Sequence, residues 1–268
     1  MSHNLLKGKR GIIFGALNDQ SIAWKVAEKA HAEGASFVLS NVPVAMRLGA
    51  INELSEKCNA PIIPADATST DDLKNLYAQS MEKLGGKIDF VLHSIGMSPN
   101  VRKGKGYTGL NYDWYQKTLD ISGGSLHKTL QVAMEMDALN EWASVVALSY
   151  IAAQRIYPDY GDMADAKSLL ESIARGFGYH YGFKKKVRVN TISQSPTPTT
   201  AGTGVSGFDK FLAFAESLSP LGNADANACA DYCVMMFSDY TKYVTMQNLY
   251  HDGGYSATGV TAKVMDKF

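Results

Sequence analysis

Short apolar runs separated by segments of helical period constrain this chain more than any other feature in it. Gly11 to Gly15 reads GIIFG, Phe37 to Leu39 FVL, Ile88 to His93 IDFVLH, Ala143 to Leu148 ASVVAL and Val187 to Ile192 VRVNTI. Runs without polar alternation mark strands buried on both faces, as in a parallel sheet covered by helices. After the first run, Ile22, Ala23, Val26, Ala27 and Ala30 recur at helical spacing and Gly34 closes the helix. The chain then re-enters a strand, which makes a right-handed βαβ unit. Pro61 to Pro64 reads as a further short strand. Helices are expected over Thr70 to Gly85, with Leu73, Leu76, Tyr77 and Met81 inward, and over about Leu119 to Met136. The segment from Tyr250 to Val260 suits either a last core strand or an interface. The whole predicts one α/β domain over residues 1–268, a doubly wound parallel sheet of about seven strands with helices on both faces.

Charge narrows the function classes. The chain has 26 basic and 26 acidic residues, so its formal net charge is +0, and its densest basic patch, KKKVR at 184–188, reads as a solvated loop before a strand. Nucleic-acid and membrane-surface binding are disfavoured. No apolar stretch reaches transmembrane length and MSHNLLKGKRG has no leader pattern, so a soluble, cytoplasmic protein is expected. Cys229 and Cys233 lie one helical turn apart without further ligands at metal spacing, Cys58 stands alone, and His93, His127 and His251 form no HExxH-like arrangement. Buried thiols and no metal are the reading.

Ligands of such sheets bind beyond the carboxyl ends of the strands. Gly15 begins the first βα turn, where a pyrophosphate would meet the amino end of the helix. The glycine pattern after it is incomplete, and a tight turn with Ala23 for close helix packing explains it as well as a nucleotide does. Ser21 is the expected N-cap. Ser94, Ile95 and Gly96 form a small exit from the fourth run, and Ser193 to Leu221 is an irregular, Pro- and Thr-rich loop with its own apolar helix, the form of a substrate lid or of a plain connector. In SYIAAQRIYPDYGDMADAK, from Ser149 to Lys167, Tyr160 and Lys167 are seven positions apart, which on a helix puts phenol and ammonium on one side. Pro158 places Tyr150 on a loop after a strand, and the lysine's charge is expected to favour negative charge at the phenol.

Taken in order, Gly15-x5-Ser21-Ile22-Ala23, Asp66-Ala67, His93-Ser94-Ile95-Gly96, Asp120-Ile121-Ser122, Leu148-Ser149-Tyr150, Tyr160-x6-Lys167, Pro196-x2-Thr199 and His251-Asp252-Gly253-Gly254 resemble the bacterial enoyl-acyl carrier protein reductases. These are a divergent branch of the short-chain dehydrogenase/reductase superfamily with a Rossmann fold. The resemblance spans essentially the whole chain. It implies an NADH-dependent reduction of a trans-2-enoyl thioester on acyl carrier protein, and a homotetramer. Hydride goes to C3, Tyr160 with the cofactor's ribose hydroxyl meets the charge on the thioester oxygen, and C2 takes a proton from Tyr160 or from water. By the same resemblance Gly15, Ser21 and Ile22 line the pyrophosphate and ribose, Asp66 and Ala67 the adenine, and Ser94, Ile95 and Gly96 the adenosine ribose. Lys167 holds the nicotinamide ribose, and Thr197, Thr199 and Ala201 the phosphate and carboxamide side. Ser98, Tyr150, Tyr160 and Phe208 border the substrate, with Phe211, Leu212, Phe214 and Leu218 over the acyl chain or simply packed in their helix.

Carbonyl-reducing relatives place lysine four positions after the tyrosine and a serine thirteen before it. Here those positions are Ala164 and Ala147, which argues against a 3-oxoacyl or sugar carbonyl reductase. A non-catalytic dinucleotide sensor needs none of Tyr150, Tyr160 and Lys167. Ser195, Pro198 and Val42 depart from the Gly, Arg and Gln common in the family, and these changes bear on cofactor grip. Ser40-Asn41-Val42 carries neither the acid that reads an NAD ribose nor an arginine for NADP, and Arg47 follows nearby. NADH is favoured and NADPH is not excluded.

Overall fold

In the computed structural model, which describes residues 2–46, 50–200, 202–203 and 207–266, six strands form one sheet. They are β1 (Arg10–Phe14), β2 (Ser36–Ser40), β3 (Ile88–His93), β4 (Leu139–Ser149), β5 (Arg188–Gln194) and β6 (Asn248–His251). All run parallel in the order β2-β1-β3-β4-β5-β6. Successive side chains point to opposite faces. Ile13, Phe37, Leu39, Val146 and Leu148 enter one hydrophobic cluster, and Ile12, Phe14, Val38, Val145 and Ala147 the other. Two apolar faces call for two layers of helix, which is why the strand runs carry no polar alternation.

Helices α1 (Ile22–Ala32), α2 (Pro43–Met46) and α3 (Ala50–Cys58) are followed by α4 (Thr70–Leu84), α5 (Pro99–Arg102), α6 (Tyr112–Leu119) and α7 (Ser125–Glu135). Beyond β4 come α8 (Asp162–Lys185), α9 (Phe208–Leu218), α10 (Ala226–Phe237) and α11 (Ala262–Met265). Trp24, Val26 and Ala27 of α1, Ile51 and Leu54 of α3, and Cys229, Cys233 and Phe237 of α10 cover one face. Leu73, Leu76 and Tyr77 of α4, Leu126 and Leu130 of α7, and Leu170, Ala174 and Tyr181 of α8 cover the other. All three cysteines are buried and free. Between β2 and β3 the chain leaves β1 in opposite directions, and the crevice at this reversal is where such sheets take ligands.

Four expectations change. Pro61 to Pro64 meets β2 in an isolated bridge from Ile62 to Leu39, with the Leu39 amide donating to the Pro61 carbonyl and the Ile63 amide to the Leu39 carbonyl, a pairing too short to make a strand; the sheet therefore has six strands. The helix expected from about Leu119 to Met136 starts earlier, at Tyr112, and Asp120–Gly124 form a π-helical turn between α6 and α7. Within that turn the Ser122 hydroxyl accepts from the amide of Met97 at 2.9 Å and donates to its carbonyl at 3.0 Å. The next serine along, Ser125, meets Nε2 of buried His93 at 2.8 Å. Ser21 stands at the N-cap of α1, but its hydroxyl accepts from the amides of Leu17 and Asn18 and leaves the first helical turn uncapped. Tyr160 precedes α8, whose N-cap is Gly161.

Arg188, 2 % exposed in β5, fastens the far end of α10. Its guanidinium donates to the carbonyl of Met236 at 3.2 Å, the hydroxyl of Thr241 at 2.7 Å and the carbonyl of Ser238 at 3.3 Å. Helix carbonyls without partners are costly to bury. Arg188→Met is expected to remove about 2–4 kcal/mol of stability, seen as a lower urea midpoint with an unchanged slope.

Candidate active site

The first βα turn is shaped by one glycine. Gly15 has φ +93°, and a Cβ there would lie 1.9 Å from the backbone oxygen of Ser94. This contact brings the exits of β1 and β3 together, so Gly15 and the Ser94-Ile95-Gly96 strip form one edge. The amino end of α1, with Ser21 and Ile22, opens onto it without a capping side chain, leaving amides and the positive end of the helix dipole for an anion. Asn18 crosses the crevice and donates to the Thr200 hydroxyl at 2.8 Å. Thr197 is 8 % exposed, and its hydroxyl donates to the carbonyl of Ser195 at 2.9 Å. The Thr199 hydroxyl accepts from the amide of Gly202 at 3.0 Å, and a Cβ on Gly202 would meet the Phe208 ring at 3.2 Å. Phe208 thus lies over the threonine loop. Ala201 and Arg47 lie outside the described residues.

Farther along the edge, the side chain of Asn41 donates to the carbonyl of Ala16 at 3.0 Å and accepts from the amide of Val42 at 2.9 Å, joining the exits of β1 and β2. The amide of Ala65 donates to the Asn41 carbonyl, so Asp66 and Ala67 stand next to Val42. One carboxyl oxygen of Asp66 accepts from the amide and hydroxyl of Thr68, at 2.9 and 2.7 Å.

At the other end stand the tyrosines and the lysine. The Lys167 side chain, 7 % exposed, donates to the carbonyl of Leu148 at 2.7 Å, and its ammonium is 3.9 Å from where a Cβ on Gly96 would lie. Burial pushes its pKa down to about 8. The carbonyl of Tyr160 accepts from the amide of Met163 at 3.1 Å, which ties it to the first turn of α8. Its ring packs 5.1 Å from that of Tyr150. Burial raises the pKa of both phenols. The expected lowering by the lysine is not seen, and both stay protonated donors at neutral pH. Tyr150 also packs 5.2 Å from Tyr157, which packs 5.5 Å from Phe211 of α9 and hydrogen bonds Tyr255. Phe214 stands 6.5 Å from Tyr255. These rings form one aromatic cluster that joins the Tyr150 loop to α9.

Ser98, expected to border the substrate, is 4 % exposed and donates to Asp162 at 2.6 Å. Asp162 is fully buried at the start of α8 and also accepts from Asn100 at 2.8 Å. This latch fixes the β3 exit against the helix that follows Tyr160. Sequence reasoning missed it, together with Tyr157, Tyr255, Glu171 and the Asn18 to Thr200 bridge. Only Glu171, one helical turn after Lys167, carried a usable spacing signal. Ala147 is fully buried in the sheet core, and the nearby Ser149 hydroxyl is turned away to Glu171 at 2.7 Å. Neither position offers a donor to a ketone.

The chain resembles known proteins over nearly its full length. It is 33 % identical over 264 residues to the enoyl-[acyl-carrier-protein] reductase [NADH] FabI of Rickettsia bellii, covering 97 % of this chain and 98 % of that one. A crystal structure of a FabI–NADH complex from Alistipes finegoldii superposes with a TM-score of 0.98 at 63 % identity, covering 99 % of this chain and 94 % of that one. A crystal structure of enoyl-[acyl-carrier-protein] reductase (NADH) from Aquifex aeolicus superposes with a TM-score of 0.88 at 29 % identity, covering 96 % of this chain and 100 % of that one. Residues 15–256 match the family described as enoyl-(acyl carrier protein) reductase. A Gly15 turn, a paired Tyr150 and Tyr160, a buried Lys167 and the match over residues 15–256 together identify the chain as a member of the enoyl-acyl carrier protein reductase family.

Proposed function

We propose that the protein reduces trans-2-enoyl thioesters on acyl carrier protein with NADH, as the enoyl reductase of type II fatty acid synthesis. The observation that carries this reading is the pairing of two protonated phenols, one of them two residues past the Leu148 carbonyl that takes the buried lysine, with alanine at position 147 where a carbonyl reductase has its serine. The crevice suits a dinucleotide. A side chain at Gly15 would overlap Ser94, the amino end of α1 has no side-chain cap, and Gly96 is exposed beside Lys167.

Gly15, Ser21 and Ile22 would hold the pyrophosphate, Val42, Asp66 and Ala67 the adenosine end, and Ser94, Ile95 and Gly96 its ribose. Lys167 would hold the nicotinamide ribose, and Thr197, Thr199 and Ala201 its phosphate and carboxamide. When bound, a reduced nicotinamide supplies the hydride that C3 of the enoyl group receives. Tyr160 donates to the thioester oxygen, where negative charge accumulates, and such a donor is typically worth about 2.7–4 kcal/mol in the transition state. Tyr150 packs its ring against Tyr160 and limits the angles open to it. Phe208, Phe211 and Phe214 cover the acyl chain and exclude water. A homotetramer in the cytoplasm is the assembly we propose. It is supported by exposed Tyr179 and Phe183, paired 4.9 Å apart on the outer face of α8. Among the described residues no helix is long and apolar enough to cross a membrane.

Consumption of NADH with crotonyl-thioester, and none with acetoacetyl-thioester, is the expected result. Activity with the second alone would mark a carbonyl reductase, activity with neither a sensor, and parallel assays with NADPH read cofactor choice. A second expectation concerns Lys167→Met. The folded pKa of about 8 lies below the unfolded value of about 10.4. The folded protein therefore binds fewer protons across that window, and the buried charge lowers stability at neutral pH. Removing it is expected to weaken NADH binding and raise the melting temperature together, read by fluorescence titration and calorimetry. Unchanged binding would remove Lys167 from the site.

A further inference from the structure

Glu171 is a buried acid that the hydride-transfer reading does not use. It is 4 % exposed on α8, one helical turn beyond Lys167 and on the same face. Its two carboxyl oxygens are held from different places. One accepts from the Ser149 hydroxyl at 2.7 Å, and the other from the side-chain amide of Gln154 at 3.0 Å. Gln154 is fixed in turn, because its oxygen accepts from the hydroxyl of Tyr250 on β6. Ser149 is the residue between Leu148, whose carbonyl takes the Lys167 ammonium, and Tyr150. One carboxyl group therefore anchors the strand end on which both the lysine and the first tyrosine depend. A carboxyl so fully buried costs free energy unless a charge partner or donors repay it.

We propose that Glu171 is a positioning residue which, held by Ser149 and Gln154, keeps Lys167 protonated and its ammonium fixed at the nicotinamide end of the cofactor crevice. The inference rests on the enoyl reductase reading of that crevice. Burial drives the lysine towards losing its proton near neutral pH, and the Glu171 charge acts against this. The other groups around Lys167 do not supply that support. His93 on β3 opposes the lysine only when protonated, and burial pushes its pKa down to about 3. Tyr150 and Tyr160 are neutral phenols with raised pKa values. Asp162 is bonded to Ser98 and Asn100, Asp165 accepts from Tyr107 and Tyr115, and Asp120 pairs with Lys128. Arg155 donates to the backbone of Gln154 rather than to Glu171.

The test measures NADH affinity by fluorescence, without substrate, from about pH 6 to 10. Competitive acetylation of the nucleotide-free protein with acetic anhydride, read by mass spectrometry, gives the Lys167 titration directly. In the parent protein both signals are expected to turn over near pH 8. In Glu171→Gln, which keeps the hydrogen-bonding shape without the charge, both should move down by about one pH unit, while Glu171→Asp stays near the parent. Coinciding curves for the Gln variant and the parent overturn the proposal. Should that variant fail to fold, Ser149→Ala loosens the carboxyl and should shift the acetylation curve the same way by less. A purely structural role would lower its melting temperature and leave the curve in place. Parent turnover of crotonyl-thioester is recorded alongside, so failure of the enzyme reading is seen separately from failure of this one.

Discussion

Tyr160→Phe is expected to lower turnover of an enoyl thioester by about 100- to 1000-fold, the usual effect of removing one donor from a developing oxyanion. The substitution removes an oxygen and little else. The ring keeps its packing 5.1 Å from Tyr150, and the backbone bond from Met163 to the Tyr160 carbonyl does not depend on the side chain. Folding stability and NADH binding should therefore match the parent, and the loss should fall on kcat. Stopped-flow NADH oxidation together with a binding titration separates these quantities. A Phe variant turning over at the parental rate would remove Tyr160 from the chemistry and point to Tyr150, the protonated phenol packed against it.

Gly15→Val should be still more disruptive, because two penalties fall on one atom. With φ at +93° a branched side chain is strained before it meets anything, and the first atom it adds would sit 1.9 Å from the Ser94 carbonyl oxygen. That oxygen belongs to backbone at the exit of β3, a central strand, and cannot swing aside as a long side chain could. Relief requires parting β1 from β3 at the edge where Ser94, Ile95 and Gly96 lie. The expected cost is about 3 kcal/mol or more, with loss of NADH binding even in the fraction that stays folded. Circular dichroism melting and fluorescence titration measure the two. A variant that melts and binds like the parent would show that the close approach at Gly15 does not shape the crevice.

The sheet was legible because burial on both faces leaves an uninterrupted apolar signature, as in GIIFG and ASVVAL. Pro61 to Pro64 misled because apolar character suggested a strand where the chain makes only a single bridge to β2. The Tyr160 and Lys167 spacing rested on an incomplete argument. Gly161 at the N-cap leaves the tyrosine just outside the helix, so the backbone of the first turn, rather than helical phase alone, sets where the phenol lies. The direction of the tyrosine pKa shift required knowing how deeply the ring is buried. Asp162 and Glu171 escaped notice because an acid in a helix reads as solvent-facing until tertiary structure encloses it. Tyr157 and Tyr255 are 98 positions apart and meet only in the folded chain.

The widened turn at Asp120–Gly124 sets the phase of everything after it. Each residue of an ordinary helix advances the azimuth by about 100°, so the surplus residue works as a fixed rotational offset between two straight rods. With it, one hydroxyl clasps both poles of the Met97 peptide while the next hydroxyl reaches the imidazole beneath the crevice. A lineage that trimmed the surplus would inherit a more regular rod whose later side chains faced new compass points. Local regularity and alignment of the crevice edge are therefore competing demands on these five residues, and the fold favours alignment.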